Sequence, residues 1–251
     1  MTPSPLANIG FGVVVVLLAA VIVVLYVATR DRIDTASGSG AALEQTGATR
    51  QSAGSSSESE SADPSRPLAV VIGDSFSTPP SGADEAWPGL LGDAVGSDVR
   101  TYAEAQAAYV AGAGSPSMAD LVERAADDLG GQEREAVSTV LLAGGRYDTG
   151  EGTDDRAEDA ATELVAQVRE DFPSASVVVL SNFASGKSSA DGDALARSLA
   201  TAADASGAAY VDVTDFLAES DIAPDGVNPT EEGQARLAER VEDALRRTAQ
   251  S

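Results

Sequence analysis

The residues best suited to covalent chemistry lie in Gly73-Asp74-Ser75-Phe76-Ser77, directly after the apolar run Leu68–Ile72. An apolar run that breaks into glycine and a small polar residue reads as a buried parallel strand delivering a serine to the rim of a sheet. Gly73 permits a tight turn and Asp74 begins the loop, leaving Ser75 to face solvent. The plainer reading of the same stretch is a strand and a loop that happens to contain serine. A serine hydroxyl attacks a carbonyl effectively when a neighbouring base takes its proton, and that base must titrate near neutral pH. The chain has neither histidine nor cysteine. Among its carboxylates, Asp148 closes the run Gly145-Arg146-Tyr147-Asp148, and Asp225 lies three residues before Asn228. A carboxylate of ordinary pKa is a weak base for this task.

Composition removes several classes of function. Forty acidic residues against sixteen basic ones give a formal charge of -24, which repels phosphate backbones and anionic headgroups, so nucleic acid is not an expected partner. Without cysteine there is no disulfide framework, thiolate nucleophile or Cys-based metal site. The acidic clusters Asp154–Asp159 and Asp191–Asp193 read as solvated helix starts rather than metal ligands, because oxygen-only calcium sites need a tighter alternating pattern. No cofactor is implied. Trp87 reads as packing rather than as a substrate platform.

The elements that must position Ser75 follow from the pattern along the chain. After a short tail, residues 1–8, the stretch Ile9–Ala28 is apolar without a charge, and about 20 such residues span a hydrocarbon core of ~30 Å as a helix. Residues 29–66 are rich in Ser, Gly, Ala and Glu and read as a disordered tether. A folded unit is expected over 67–251. Its strand-like runs are Leu68–Ile72, Val99–Tyr102, Thr139–Ala143, Ser176–Leu180 and Ala209–Val213. Helical spacing falls between them at Trp87–Val95, Ser117–Leu129, Asp154–Asp171 and Asp191–Ala205, with a last helix from Thr230 to Thr248 capped by Thr230. Strict alternation of strand and helix predicts an α/β fold with a parallel sheet covered on both faces. Ligands in such sheets sit at the carboxyl ends of the strands.

Four of the loops expected there resemble the signature blocks of the SGNH (GDSL-type) hydrolases, over about Pro67 to Ala244. The resemblance implies a flavodoxin-like three-layer sandwich with a roughly five-stranded parallel sheet. Gly73-Asp74-Ser75 stands at the nucleophile block, which makes Ser75 the catalytic serine and its backbone N–H an oxyanion donor. In the second block the glycine position falls at Ala108, within Gln106-Ala107-Ala108-Tyr109. Gly145-Arg146-Tyr147-Asp148 resembles the Gly-x-Asn-Asp block, with Tyr147 in place of the oxyanion asparagine. Asp225-Gly226-Val227-Asn228-Pro229 resembles the closing Asp-x-x-His-Pro, with Asn228 at the catalytic histidine.

The oxyanion hole implied by the resemblance is therefore Ser75, Ala108 and Tyr147, and the triad Ser75, Asp225 and Asn228. An asparagine amide can hydrogen-bond a serine but cannot carry its proton to a leaving alkoxide. The expected protein is a membrane-tethered SGNH-like pseudoenzyme that binds or scaffolds. The alternative is an active esterase or acyl hydrolase in which Asp225, through a water, or Asp148 replaces the imidazole. By resemblance the domain lies outside the cytoplasmic membrane with an envelope lipid or glycan as ligand, although Arg30 and Arg32 after the apolar run vote weakly the other way.

Overall fold

The computed structural model describes residues 66–80, 83–110, 112, 116–148, 153–183, 190–226 and 228–248. The expected tail, membrane span and tether lie outside the described residues, apart from Arg66. Among the described residues no helix is long and apolar enough to cross a membrane.

Five parallel strands, β1 (Leu68–Gly73), β2 (Asp98–Ala103), β3 (Val137–Ala143), β4 (Ser176–Leu180) and β5 (Ala209–Val211), pair in the order β2-β1-β3-β4-β5. Helices α1 (Trp87–Val95), α2 (Met118–Ala136), α3 (Thr153–Asp171), α4 (Ala190–Ser206) and α5 (Glu231–Thr248) alternate with them. Successive side chains of a strand point to opposite faces. Val70 and Ile72 accordingly bury against Leu121 of α2, Val165 of α3 and Leu199 of α4. Val71 buries the other way, against Leu91 of α1 and Leu237 and Val241 of α5. Burial on both faces is why these strands read as unbroken apolar runs.

The expected three-layer α/β architecture is thus observed, with differences at element ends. Helix α2 continues past Leu129 to Ala136 through a kink at Gly130 (φ 65°, ψ 175°). The apolar spacing ends at Leu129, and the extension instead meets α3 through Arg134 and Asp171, 3.7 Å apart. Strand β3 begins two residues earlier than its apolar run, and β5 ends at Val211 although Val213 is buried. Thr230 caps α5 as expected, its Oγ1 accepting from the Gly233 N–H at 3.0 Å.

Arg66, placed in the tether by its neighbours' composition, belongs to the fold. Its guanidinium donates to the Gly92 and Ser97 carbonyls at 3.2 and 2.7 Å, and its Nε lies 3.1 Å from Asp98 Oδ1. These carbonyls flank the end of α1, where the Gly92 carbonyl also accepts from the Gly96 and Ser97 N–H groups.

At the other end of α1 the N-cap Ala86 offers no side-chain acceptor. Gln234 of α5 fills that role: its Oε1 accepts from the Trp87 N–H at 2.8 Å while its Nε2 donates to the Phe76 carbonyl at 3.2 Å. With 1% of its surface exposed, this amide links α5, α1 and the loop that follows β1. Replacing one partner of a buried hydrogen bond costs about 1–3 kcal/mol. Gln234→Leu, which strands both a donor and an acceptor, is expected to lower unfolding stability by about 2 kcal/mol or more, measured by chemical denaturation; a change below about 0.5 kcal/mol contradicts this role.

Candidate active site

Because β2 lies on one side of β1 and β3 on the other, the chain reverses its direction of travel across the sheet at the β1/β3 boundary, where α/β sheets open a ligand crevice. Ser75 stands on one lip and the turn Gly144–Asp148 on the other. Gly73 lets the lips approach: a Cβ there would lie 2.9 Å from Ser77 Cβ and 3.0 Å from the Ala143 carbonyl.

Ser75 opens a short 3₁₀ turn, Ser75–Ser77, capped by Asp74, whose Oδ1 accepts from the Phe76 N–H at 2.9 Å. A residue at the head of a helical turn has no intrahelical partner for its N–H. The Ser75 N–H makes no hydrogen bond among the described residues. The Ser75 hydroxyl lies 3.2 Å from the Tyr147 hydroxyl across the crevice.

On a separate loop, Asn228 donates twice to Asp225, from its backbone N–H to Oδ1 at 3.0 Å and from Nδ2 to Oδ2 at 2.9 Å. These bonds hold the amide with its Oδ1 turned away from Asp225. Asp225 is exposed and Asn228 half-buried. Both line a pocket of about 280 Å³ with Pro80, Thr230 and Glu231, and Ser75 is not in its lining. The structure therefore pairs Ser75 with Tyr147 and Asp225 with Asn228, but among the described residues no hydrogen bond joins Ser75 to Asn228.

Ala108 does not offer the expected donor. Its N–H donates to the Pro116 carbonyl at 3.3 Å and its carbonyl accepts from the Met118 N–H at 3.0 Å, an isolated parallel bridge to Ser117 that engages the amide elsewhere. The backbone conformation that favours glycine occurs instead at Gln106, the one non-glycine position of the described residues with positive φ, at 67°. That strain costs about 1–2 kcal/mol in a non-glycine residue. Sequence reasoning missed Gln106 because nothing about a glutamine announces a left-handed turn.

Asp148, considered as a substitute base, is a structural clamp. Oδ2 accepts from the Tyr109 N–H at 3.0 Å and Oδ1 from the Val110 N–H at 2.7 Å. It is 6% exposed, and burial raises its pKa against the lowering effect of these amides. Asp148 ties the loop after β2 to the turn after β3, and among the described residues it makes no hydrogen bond to Ser75.

Aromatic packing supports the lip that carries Ser75. Phe76 is stacked on Phe183, centroids 5.5 Å apart, with the Arg146 guanidinium 4.8 Å from the Phe76 centroid. Trp87, fully buried, meets Phe183 edge-on at 6.0 Å, a packing role as its sequence context suggests. No group of three or more acidic residues among those described is placed to hold a metal ion.

A five-stranded parallel sheet of this order, with a serine on a 3₁₀ turn after β1 and an Asp-x-x-Asn pair before the last helix, has the architecture of an SGNH hydrolase. The family model described as GDSL-like Lipase/Acylhydrolase matches residues 71–236, and the chain belongs to this family. Solved structures similar to it include the aryl esterase of M. smegmatis, at 18% identity and a TM-score of 0.58, covering 72% of this chain and 99% of that one. A carbohydrate acetylesterase from Sinorhizobium meliloti aligns at 15% identity and a TM-score of 0.57, over 72% and 99%. A psychrotrophic esterase from Pseudoalteromonas sp. aligns at 15% identity and a TM-score of 0.56, over 74% and 100%. At these identities the likeness is one of fold. No curated protein sequence matches the chain.

Asp74 is 1% exposed, and burial pushes its pKa up from 3.8 to about 6 against the Phe76 amide and the nearby Arg146 charge, which lower it. Between these two values the folded state holds more protons than the unfolded chain, so this group makes stability fall as pH rises from about 4 to about 6, leaving a constant deficit above. Asp74→Asn keeps an acceptor for the Phe76 N–H without the titration. Its stability relative to the wild type is expected to improve with pH across that window, by on the order of 2 kcal/mol, in denaturant melts at matched ionic strength; a pH-independent difference contradicts the buried-carboxyl assignment.

Proposed function

We propose that the chain is a catalytically impaired SGNH-family protein that binds an ester- or glycan-like ligand rather than hydrolysing it, held at a membrane by the apolar run 9–28. The observation that carries this reading is the partner of Ser75: among the described residues its hydroxyl hydrogen-bonds a phenol, Tyr147, at 3.2 Å. A phenol O–H, which carries its own proton, is not a general base for a serine hydroxyl. Asn228 stands where the family resemblance implies the imidazole, and its amide is locked onto Asp225. In a serine-protease example, loss of the nucleophile or histidine lowers turnover by about 10⁶-fold.

The Ser75 N–H still supplies one donor of an oxyanion hole, which supports binding of a carbonyl or hydroxyl oxygen at the crevice. That a carbohydrate acetylesterase and an aryl esterase share the fold favours an acylated glycan or lipid of the cell envelope as the ligand, with the domain on the outer side of the membrane.

Hydrolysis of short acyl esters by the full chain is expected to equal that of Ser75→Ala. Restoring the family groups together, Asn228→His with Tyr147→Asn, is expected to raise the rate by at least about tenfold, a small part of what an intact triad supplies. Wild-type turnover well above background that disappears in Ser75→Ala would overturn the reading. A folded double variant with no gain would contradict the assignment of Asn228 and Tyr147 to those positions.

A further inference from the structure

The loop after β2 enters the crevice through a tight turn. The Ala107 N–H donates to the Glu104 carbonyl at 3.1 Å, closing a four-residue turn with Gln106 in third place. Of these four residues only Gln106 has a positive φ, 67°. That pattern defines a type II turn, which favours glycine or asparagine at the third place. Contacts on both sides hold the glutamine in this conformation. Before the turn, the Glu104 N–H donates to the Gly73 carbonyl at 3.2 Å and the Glu104 carboxylate pairs with Arg124. After it, Ala108 is bridged to Ser117, and Asp148 accepts from the Tyr109 and Val110 N–H groups.

Conformations over-determined in this way cluster at ligand clamps and active sites. Glycine would fit the turn without the strain but would carry no side chain. The Gln106 side chain is exposed and hydrogen-bonds no described residue. Ala103 is level with Gly73 in the β1/β2 ladder, so Gln106, three residues further on, stands at the same rim as Ser75.

The charged groups around this rim are engaged elsewhere. Asp74 is buried and accepts from the Phe76 N–H, Asp148 clamps the loop, and Arg146 lies over the Phe76 ring. The crevice therefore presents neutral groups: the Ser75 and Tyr147 hydroxyls and the Gln106 carboxamide. A carboxamide offers donors and an acceptor together, which suits the hydroxyl and acetamido groups of a sugar and suits neither an anion nor an alkyl chain.

We propose that Gln106 is a specificity-determining residue of the crevice, its carboxamide contacting a hydroxyl or acetamido group of a saccharide ligand. The proposal deepens the reading of the crevice as a binding site and rests on it, but not on whether Ser75 turns over.

The test measures binding of an O-acetylated N-acetylglucosamine tetrasaccharide to the full chain in detergent micelles, by titration calorimetry. All variants carry Ser75→Ala, so a chain that proved to be an active esterase would still report on position 106. Gln106→Met keeps the length and the strain but removes the hydrogen bonds, and is expected to weaken binding about fivefold or more. Gln106→Gly is expected to weaken it as much while raising the midpoint of chemical denaturation, a pairing that a merely structural residue would not give. The proposal is overturned if the Ser75→Ala parent does not bind the tetrasaccharide, if either variant loses less than about fivefold, or if Gln106→Gly lowers the midpoint.

Discussion

The hydrogen bond between Ser75 and Tyr147 joins the carboxyl ends of β1 and β3, and the surrounding structure determines whether those ends can meet. Gly73 gives the close approach, since a side chain there would collide with Ser77 and the Ala143 carbonyl. Asp148 fixes the turn that carries Tyr147 by holding the backbone of the loop after β2. Gln234 and the Arg146–Phe76–Phe183 contacts fix the lip that carries Ser75. The crevice is thus well organised while its serine is matched with a weak proton acceptor.

A family enzyme needs rigid positioning and a group that exchanges protons near neutral pH, and the two requirements are met by different residues. Positioning rests on main-chain hydrogen bonds, buried carboxylates and packed rings, all of which survive. Proton exchange in such an enzyme rests on one imidazole, and the proposed reading assigns Asn228 to its position. The Asp225–Asn228 bonds have a geometry in which an aspartate orients its partner and turns the far atom of that partner outward. That atom is an amide oxygen, able to accept a hydrogen bond from a ligand but unable to take and return a proton. On the proposed reading, the same scaffold favours recognition over turnover.

Much of this was legible in the sequence for a physical reason. Strands buried on both faces leave continuous apolar runs, so the five strands and their alternation with helices could be read directly, and Ser75 stood out by its place after the first run, whereas Tyr147, Asp225 and Asn228 were singled out through the resemblance to the family's blocks. What could not be read depends on backbone conformation or contacts between distant segments. Ala108 was placed at the oxyanion, whereas its N–H bonds Pro116 and the left-handed turn falls at Gln106. Arg66 has the neighbours of a tether yet caps α1. Asp148 looked like a spare base until its two oxygens were seen to accept from Tyr109 and Val110.

The central claim is that the Ser75 hydroxyl has no group beside it able to take its proton at neutral pH. A fluorophosphonate probe reports on that property alone, because it phosphonylates a serine in proportion to its activation and needs no knowledge of the natural ligand. The account predicts that the intact chain, followed by mass spectrometry, labels no faster than its Ser75→Ala variant. Rapid, stoichiometric modification mapped to Ser75, at the speed of an ordinary esterase, would contradict it.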